Sequence, residues 1–120
     1  MSSPAMKYFP KAQTEFSTTI PMIANGNAFL GDISTSLDKE KPISAGFYRL
    51  EPGPALDYTY TYDEMKIIVS GSFDITDESG TTAHAVPGDV FYFPKGAKIH
   101  FETTEGGLAF FTGQRAEGGA

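Results

Sequence analysis

The chain of 120 residues has no cysteine and only two histidines. The absence of cysteine excludes a disulfide framework, a thiolate nucleophile and every cysteine-based zinc or iron–sulfur site. It also fits a reducing compartment. Two histidines leave few side chains that could bind a transition metal, since such sites gather three or four imidazole, thiolate or carboxylate ligands.

Long apolar runs and an excess of positive charge are also missing. No window reaches the roughly 18 apolar residues that a membrane-spanning helix needs, and the first residues lack the apolar run of a signal peptide. Nine basic residues stand against 15 acidic ones, which gives a net charge of −6. This balance argues against a nucleic-acid groove or an anionic-membrane patch. We expect a soluble, cytoplasmic protein with no nucleic-acid or membrane partner.

Short strand signals dominate the chain from residue 44 onward, separated by glycine and proline turns. The β-branched and aromatic segments predict strands over residues 47–51, 56–62, 64–69, 72–76, 81–86, 90–93, 98–102 and 108–112. Strands at intervals of eight to twelve residues, with almost no helical period, are typical of a β-sandwich or barrel. The fold class is therefore predicted to be all-β.

Upstream, residues 15–20 are predicted to form a strand that stops at Pro21, and Asn25-Gly26 a turn before a strand over 28–33. The length suits one domain that needs no disulfide or metal to be stable. We expect residues 1–120 to form that single domain. It would consist of an N-terminal arm over 1–13, a β-barrel over 14–113 and a flexible tail over 114–120.

One stretch, residues 58–71, alternates its side chains strictly. Tyr58, Tyr60, Tyr62, Glu64, Lys66 and Ile68 share one face of a strand. Three phenols, a carboxylate and an amine in a row suit a pocket wall. Glu64 and Lys66, two residues apart, would bond and shift each other's proton affinity, which makes them a candidate acid and base. The alternative is a bulge near Asp63 that would turn Lys66 to solvent.

Two spaced motifs resemble those of the cupin family, a jelly-roll barrel also called a double-stranded β-helix. Glu64 and Gly71 have the spacing that ends the first cupin motif, and Gly88, Pro94 and Gly96 fit the second. The segments PKGAKIHF and DEMKIIVSG are similar to the EutQ type of ethanolamine-utilisation cupin, which lacks the histidine cluster. The resemblance implies a single-domain cupin jelly-roll barrel and a homodimer.

The departures from the cupin motifs concern the metal ligands. Tyr58 and Tyr60 stand where cupins usually carry a His-x-His pair, Ile99 stands at the position of the later histidine, and only Glu64 remains. The resemblance therefore implies no metal and no cofactor. His100 should face away from the interior by strand alternation, and His84 falls on no ligand position.

The remaining candidates follow from strand alternation and from the family positions. Tyr58 and Tyr60 occupy positions at which the family contacts its ligand, and Tyr62 is expected nearer the rim. Ile99 and Phe101 would form an apolar floor, and either Tyr48 or Arg49 should face the pocket. The predicted catalytic residues are Glu64, Lys66 and Tyr60. The predicted ligand-binding residues are Tyr58, Tyr62, Tyr48, Arg49, Phe101 and Ile99.

The sequence is compatible with three functions, of which two are favoured. The first is a metal-independent acid–base enzyme, an isomerase, cyclase, dehydratase or lyase acting on a small oxygenated organic compound. The second is a non-catalytic ligand-binding or scaffold cupin of the ethanolamine-utilisation type, with its barrel filled by aromatic side chains. An open pocket would favour the enzyme and a packed interior the scaffold. A metal-dependent oxygenase is the least favoured of the three.

Overall fold

Two antiparallel β-sheets face each other in the computed structural model, which describes residues 3–120. The elements are α1 (Ala12–Phe16), β1 (Met22–Ala24), β2 (Ala28–Thr35), β3 (Ser44–Leu50), β4 (Leu56–Thr59), β5 (Glu64–Gly71), β6 (Phe73–Asp77), β7 (Thr82–Ala85), β8 (Val90–Phe93), β9 (Lys98–Glu102) and β10 (Gly107–Gly113). The six-stranded sheet has the order β1-β2-β3-β10-β5-β8, and the four-stranded sheet has the order β4-β9-β6-β7. This is the cupin jelly roll, and the prediction of an all-β fold is confirmed.

The core lies between the sheets because each strand turns alternate side chains inward. Its largest buried members include Tyr48, Phe73, Phe101 and Phe111. Strands β8 and β9 occupy the residues predicted for them, and most of the others differ by one to three residues at an end. Proline and glycine turns set these boundaries, since neither residue continues a strand easily.

Two turns depend on backbone conformations that favour glycine. Asn25 and Gly26 both have positive φ, 58° and 77°, and link β1 to β2 as a tight hairpin. Gly71, which ends the first cupin motif, has φ 67°, and a Cβ built there would lie 2.0 Å from the carbonyl oxygen of Gly106. Close approach of the two backbones therefore requires glycine at the end of β5.

The prediction of a strand over residues 15–20 is wrong, because this segment begins in helix α1 and continues as turns. Ala12, Phe16 and Ile20 recur every four residues and pack with Phe47 and Leu108 on the outer face of the larger sheet. That spacing is helical, and it places apolar side chains on one face. The helix crosses the boundary expected between arm and barrel. Residues 1 and 2 of the arm lie outside the described residues.

The segment expected to be a flexible tail, residues 114–120, contains a buried and hydrogen-bonded residue near its start. Arg115 is buried and donates two hydrogen bonds to the carboxylate of Asp32, at 2.7 and 2.9 Å. Its carbonyl oxygen accepts a hydrogen bond from the Ser44 hydroxyl at 2.9 Å. The chain is thus attached to β2 and β3 just after the last strand.

Within residues 3–120, no helix is both long enough and apolar enough to cross a membrane.

Candidate functional site

Strand β5 carries the centre of the candidate site. Glu64, Lys66 and Ile68 point into the barrel, whereas Met65 and Ile67 between them are exposed. The alternation begins at Tyr58 and continues through the corner that leads from the four-stranded sheet to the six-stranded one. The alternative of a bulge that exposes Lys66 is wrong, because Lys66 lies in regular register opposite Phe91 and Phe111.

Three polar side chains form one cluster in the interior. The Tyr60 hydroxyl donates a 2.5 Å hydrogen bond to Oε2 of Glu64. The Lys66 ammonium lies 3.3 Å from the same oxygen and 3.4 Å from the Tyr60 hydroxyl. The side chains of Lys66 and Glu64 are only 3% and 1% exposed. The three predicted catalytic residues are therefore in mutual contact and away from water.

Aromatic rings surround the Lys66 ammonium on its remaining sides. Its Nζ lies 4.5 Å from the ring centre of Tyr48, 4.9 Å from that of Phe101 and 5.7 Å from that of Phe93. Aromatic faces attract a cation, and the attraction is stronger without water. The rings also give Lys66 few hydrogen-bond acceptors, so that its donors are only loosely engaged.

Burial changes the proton affinity of these groups. Burial lowers the pKa of Lys66 below its usual value, although the charge of Glu64 and its hydrogen bond oppose this effect. Burial raises the pKa of Tyr60, and the adjacent Glu64 charge and hydrogen bond raise it further. Tyr60 is thus held as a neutral phenol that can donate a hydrogen bond.

Of the neighbouring residues Tyr48 and Arg49 on β3, only Tyr48 faces the interior. Its side chain is buried, and its hydroxyl has no hydrogen-bond partner in the described part of the chain. Arg49 points to the opposite face of the sheet, where it lies over the Phe29 ring and donates to the Ser17 carbonyl. Arg49 was predicted to bind a ligand in the barrel, but it does not face the barrel interior.

The space left inside the barrel is small. A cavity of about 10 Å³ touches the polar cluster. Its lining consists of Ile23, Leu30, Tyr48, Leu56, Tyr58, Tyr60, Tyr62, Glu64, Lys66 and Phe101. A water molecule needs roughly 10–15 Å³ of such volume, so the observed interior has room for about one water. A larger ligand can enter only if some of these lining side chains, such as Ile23, move.

The tyrosines at the entrance are arranged differently from the prediction. The hydroxyls of Tyr58 and Tyr62 lie 2.9 Å apart. Tyr62 is buried, whereas Tyr58 is partly exposed, so Tyr58 is the residue nearer the rim. A Cβ at Gly113 would come within 2.9 Å of the Tyr62 ring, and the guanidinium of Arg115 covers that ring at 5.3 Å. These contacts hold Tyr62 in place.

Of the two residues predicted as an apolar floor, Phe101 lines the cavity and Ile99 does not. Ile99 is buried on β9 beside Tyr58, outside the space next to Glu64. Leu30 and Ile23 line the cavity without having been predicted, and Phe93, expected only as a ring that fills the barrel, lies near Lys66. The alternation of Phe91 and Phe93 on β8 was a usable signal for Phe93, because β8 pairs with β5.

The interior does not fit the metal that the cupin fold often carries. Tyr58, Tyr60 and Ile99 occupy three of the four ligand positions, and the ammonium of Lys66 stands beside the remaining carboxylate. No group of three or more metal-ligating side chains exists within residues 3–120. A phenol, an ammonium and one carboxylate can exchange protons and hydrogen bonds with one another. The positive charge of the Lys66 ammonium would repel a metal ion beside Glu64.

Both histidines lie on the outer surface of the four-stranded sheet. His84 contacts Asp74 at 2.8 Å. His100 contacts Asp57 and Glu102, each at 2.6 Å. As strand alternation predicts for His100, neither side chain reaches the barrel interior.

A family model and a curated relative indicate the same family for this chain. The family model described as "Ethanolamine utilisation protein EutQ" matches residues 12–112. The acetate kinase EutQ of Escherichia coli is 36% identical over 75 residues, a match that spans 62% of this chain and 31% of that protein. The chain thus covers less than a third of the curated relative.

Solved structures agree with this grouping. The crystal structure of an ethanolamine utilization protein Q from Salmonella typhimurium is similar at a TM-score of 0.64 and 29% identity, covering 75% of this chain and 71% of that one. An RmlC-like cupin from Shewanella frigidimarina has a TM-score of 0.64 at 15% identity, covering 85% and 89%. The second likeness concerns the fold alone.

Proposed function

The chain belongs to the EutQ family, and for this member we propose a metal-independent cupin that performs acid–base chemistry on a small oxygenated compound in the barrel. The observation that carries the proposal is the buried Tyr60–Glu64–Lys66 cluster, in which the strongest bond joins Tyr60 to Glu64 at 2.5 Å and the ammonium is held loosely. The reaction class is an isomerase, cyclase, dehydratase or lyase.

The cost of burying charge supports a chemical role. Removing a carboxylate and an ammonium from water costs several kcal/mol each, and a well-packed apolar pair is often equally stable or more so. Stability alone therefore does not explain why Glu64 and Lys66 are in the barrel, particularly because their contact of 3.3 Å is loose. The unpartnered hydroxyl of Tyr48 has the same implication, because a buried donor without an acceptor is unfavourable.

Each polar side chain has a distinct role in the proposed reaction. Glu64 takes a proton from carbon or oxygen of the compound. The Tyr60 phenol donates a hydrogen bond to the carboxylate or to an oxygen of the compound. Lys66 and Tyr48 donate hydrogen bonds to an oxygen on which negative charge develops. The oxygenated substrate class follows from these donors, which require an acceptor.

The small interior favours a second candidate, the non-catalytic scaffold or binding module. A cavity of about 10 Å³ admits no metabolite as it stands. Tyr60 stacks on Phe93 with ring centres 5.0 Å apart, and Phe93 contacts Phe101 at 5.8 Å, so aromatic rings fill most of the space. The same space offers no room for a nucleotide.

Solvent deuterium exchange tests the acid–base proposal without knowledge of the substrate. The protein is incubated in D₂O with glycolaldehyde, hydroxyacetone and pyruvate, and proton NMR measures deuterium incorporation next to the carbonyl. We expect the wild type to accelerate exchange of at least one compound. The Glu64→Gln variant should lose about a hundredfold or more of that acceleration, as removal of a general base does.

Glu78→Gln is the matched control, because Glu78 also pairs with a lysine, Lys98, but at 3.9 Å on the surface. It should leave the exchange rate unchanged. Exchange that is equal in wild type and Glu64→Gln, or absent with all three compounds, would favour the scaffold. The homodimer, the single-domain boundaries and the cytoplasmic location remain predictions.

A further inference from the structure

We propose that Lys66 is a nucleophile that forms an imine with a small aldehyde, which makes an aldehyde the substrate class of the site. This inference rests on the proposed function, because it uses the same Glu64 for proton transfer and the same Tyr60 as a hydrogen-bond donor. It adds a covalent bond to Lys66 that acid–base chemistry alone does not need.

The surroundings of Lys66 differ from those of the other six lysines in the sequence. Lys7, Lys11, Lys39, Lys41, Lys95 and Lys98 are all exposed, whereas Lys66 is buried. Its amine has a carboxylate at 3.3 Å and a phenol at 3.4 Å, which is the pairing of a nucleophile with adjacent proton-transfer groups. Neither contact is short, so little hydrogen bonding is lost when the amine turns toward a carbonyl carbon.

The reaction balances with the groups that are present. A proton passes from the Lys66 ammonium to Glu64, and the amine lone pair attacks the aldehyde carbon while the carbonyl oxygen takes up that proton from Glu64. The resulting carbinolamine loses its hydroxyl with one proton as water, and nitrogen and carbon become joined by a double bond. No oxidant, reductant or metal takes part.

Burial assists the first of these steps, because it lowers the pKa of Lys66 and so favours the neutral amine that attacks. A free lysine side chain in water has a pKa of about 10.4 and is almost entirely protonated near neutral pH. The aromatic rings of Tyr48 and Phe101 exclude water, which would otherwise hydrolyse the imine.

Strand β1, which carries Ile23 at the edge of the cavity, limits the size of an aldehyde that can enter. Ile23 lines the cavity and belongs to β1, a three-residue edge strand that pairs only with β2. Short edge strands with one partner open more easily than core strands. An aldehyde carries a hydrogen on its carbonyl carbon, so it needs less room than a ketone.

Reductive trapping tests the imine. The folded protein is treated with glycolaldehyde and sodium cyanoborohydride near neutral pH, digested, and analysed by peptide mass spectrometry. We expect Lys66 to be alkylated at least about tenfold faster than exposed Lys98, because adjacent acid–base groups accelerate such steps by about a hundred- to ten-thousandfold, which offsets the poorer access to a buried amine. Glu64→Gln should slow labelling of Lys66 and leave Lys98 unchanged. Lys66→Arg should remove the labelled site.

A second pair of variants tests whether the aldehyde reaches Lys66 through the cavity. Ile23→Ala enlarges the entrance and should increase labelling of Lys66, whereas Leu37→Ala, at an exposed apolar residue away from the cavity, should not. Labelling of the exposed lysines only, in both the wild type and Ile23→Ala, overturns the proposal. Equal labelling of Lys66 and Lys98 in folded protein also overturns it.

The two proposals can fail independently. Deuterium exchange that depends on Glu64 but persists in Lys66→Arg, without trapping, supports acid–base chemistry and rejects the imine. Trapping at Lys66 without Glu64-dependent exchange supports the nucleophile and rejects proton transfer at carbon.

Discussion

The barrel contains two buried pairs of an acidic and a basic side chain, and they differ in the number and length of their contacts. Asp32 and Arg115 form a two-bond pair at 2.7 and 2.9 Å, and the backbone N–H of Gly118 adds a third bond to the same carboxylate. Glu64 and Lys66 approach only to 3.3 Å, and the shortest bond of Glu64 goes to Tyr60. All four side chains are at most 7% exposed.

The difference indicates which pair stabilises the fold and which is available for chemistry. Burial by itself would raise the pKa of Asp32, but the bonds from Arg115 and Gly118 outweigh it and hold the pKa below its usual value. Asp32 is therefore committed to its charged form and to one partner. In the Glu64–Lys66 pair, burial lowers the pKa of the lysine, so transfer of a proton between the partners costs less. The two parallel hydrogen bonds hold Asp32 and Arg115 in one arrangement. The longer contact of Glu64 with Lys66 leaves both groups available for proton transfer.

The largest expected effect comes from breaking the tight pair. Asp32→Asn keeps the shape of the side chain but leaves the Arg115 charge without a counter-ion, and removal of one partner from a buried pair typically costs about 3 kcal/mol or more. We expect the free energy of unfolding, measured with urea, to fall by about 3 kcal/mol.

Glu78→Gln is the comparison for that measurement, because it breaks an exposed pair in which Glu78 and Lys98 lie 3.9 Å apart. Exposed pairs contribute at most about 1 kcal/mol, so little change is expected. If Asp32→Asn and Glu78→Gln destabilise equally, the Asp32–Arg115 pair does not fix the fold.

A smaller effect of the opposite sign is expected from removing the loose pair as a whole. The double variant Glu64→Gln, Lys66→Met replaces both charges by side chains of similar volume and keeps an acceptor for the Tyr60 hydroxyl. Its free energy of unfolding should be unchanged or higher by about 1–2 kcal/mol, since the variant buries no charge and replacing a buried ion pair by uncharged side chains of similar volume is often neutral or stabilising.

Activity gives the second half of that test. The double variant should lose deuterium exchange and reductive trapping while its folding is intact. A loss of stability as large as that of Asp32→Asn would mean that both pairs serve the fold, and the contrast between them would no longer hold.

The sequence was informative where a residue's role depends on strand alternation. Glu64, Lys66 and Tyr60 could be placed inside because period two holds on both sides of the corner at residues 60–63. The turn residues set the boundaries of β8 and β9 in the same local way. These features depend on neighbours in sequence, so they are visible without a structure.

Features that depend on distant parts of the chain were not predictable in this way. Arg115 stands in a glycine-rich segment and its partner Asp32 is 83 residues away. The choice between Tyr48 and Arg49 depended on the register of β3 against β10, which the sequence does not specify. Helix α1 was mistaken for a strand because the β-branched run after Phe16 outweighed the four-residue spacing of apolar residues.

The smallest expected effect concerns an exposed cluster, which shows what burial adds. His100 contacts Asp57 and Glu102 through its two ring nitrogens, and both can donate only when the ring is protonated. Hydrogen bonds to Glu102 and Asp57 accordingly raise the pKa of His100. A raised folded-state pKa stabilises the fold below the unfolded value of about 6.5, and the effect is lost as pH rises through the folded-state pKa.

His100→Gln should therefore lower the melting temperature slightly at about pH 5.5 and match the wild type near pH 9, where the ring is neutral in both states. Because the His100 side chain is 38% exposed, solvent screens the pair, and we expect a difference of only a few tenths of a kcal/mol. A difference that is the same at both pH values would exclude the charge as its cause. A loss as large as that of Asp32→Asn would show that geometry matters more than burial, because the contacts of His100 are as short as those of Arg115.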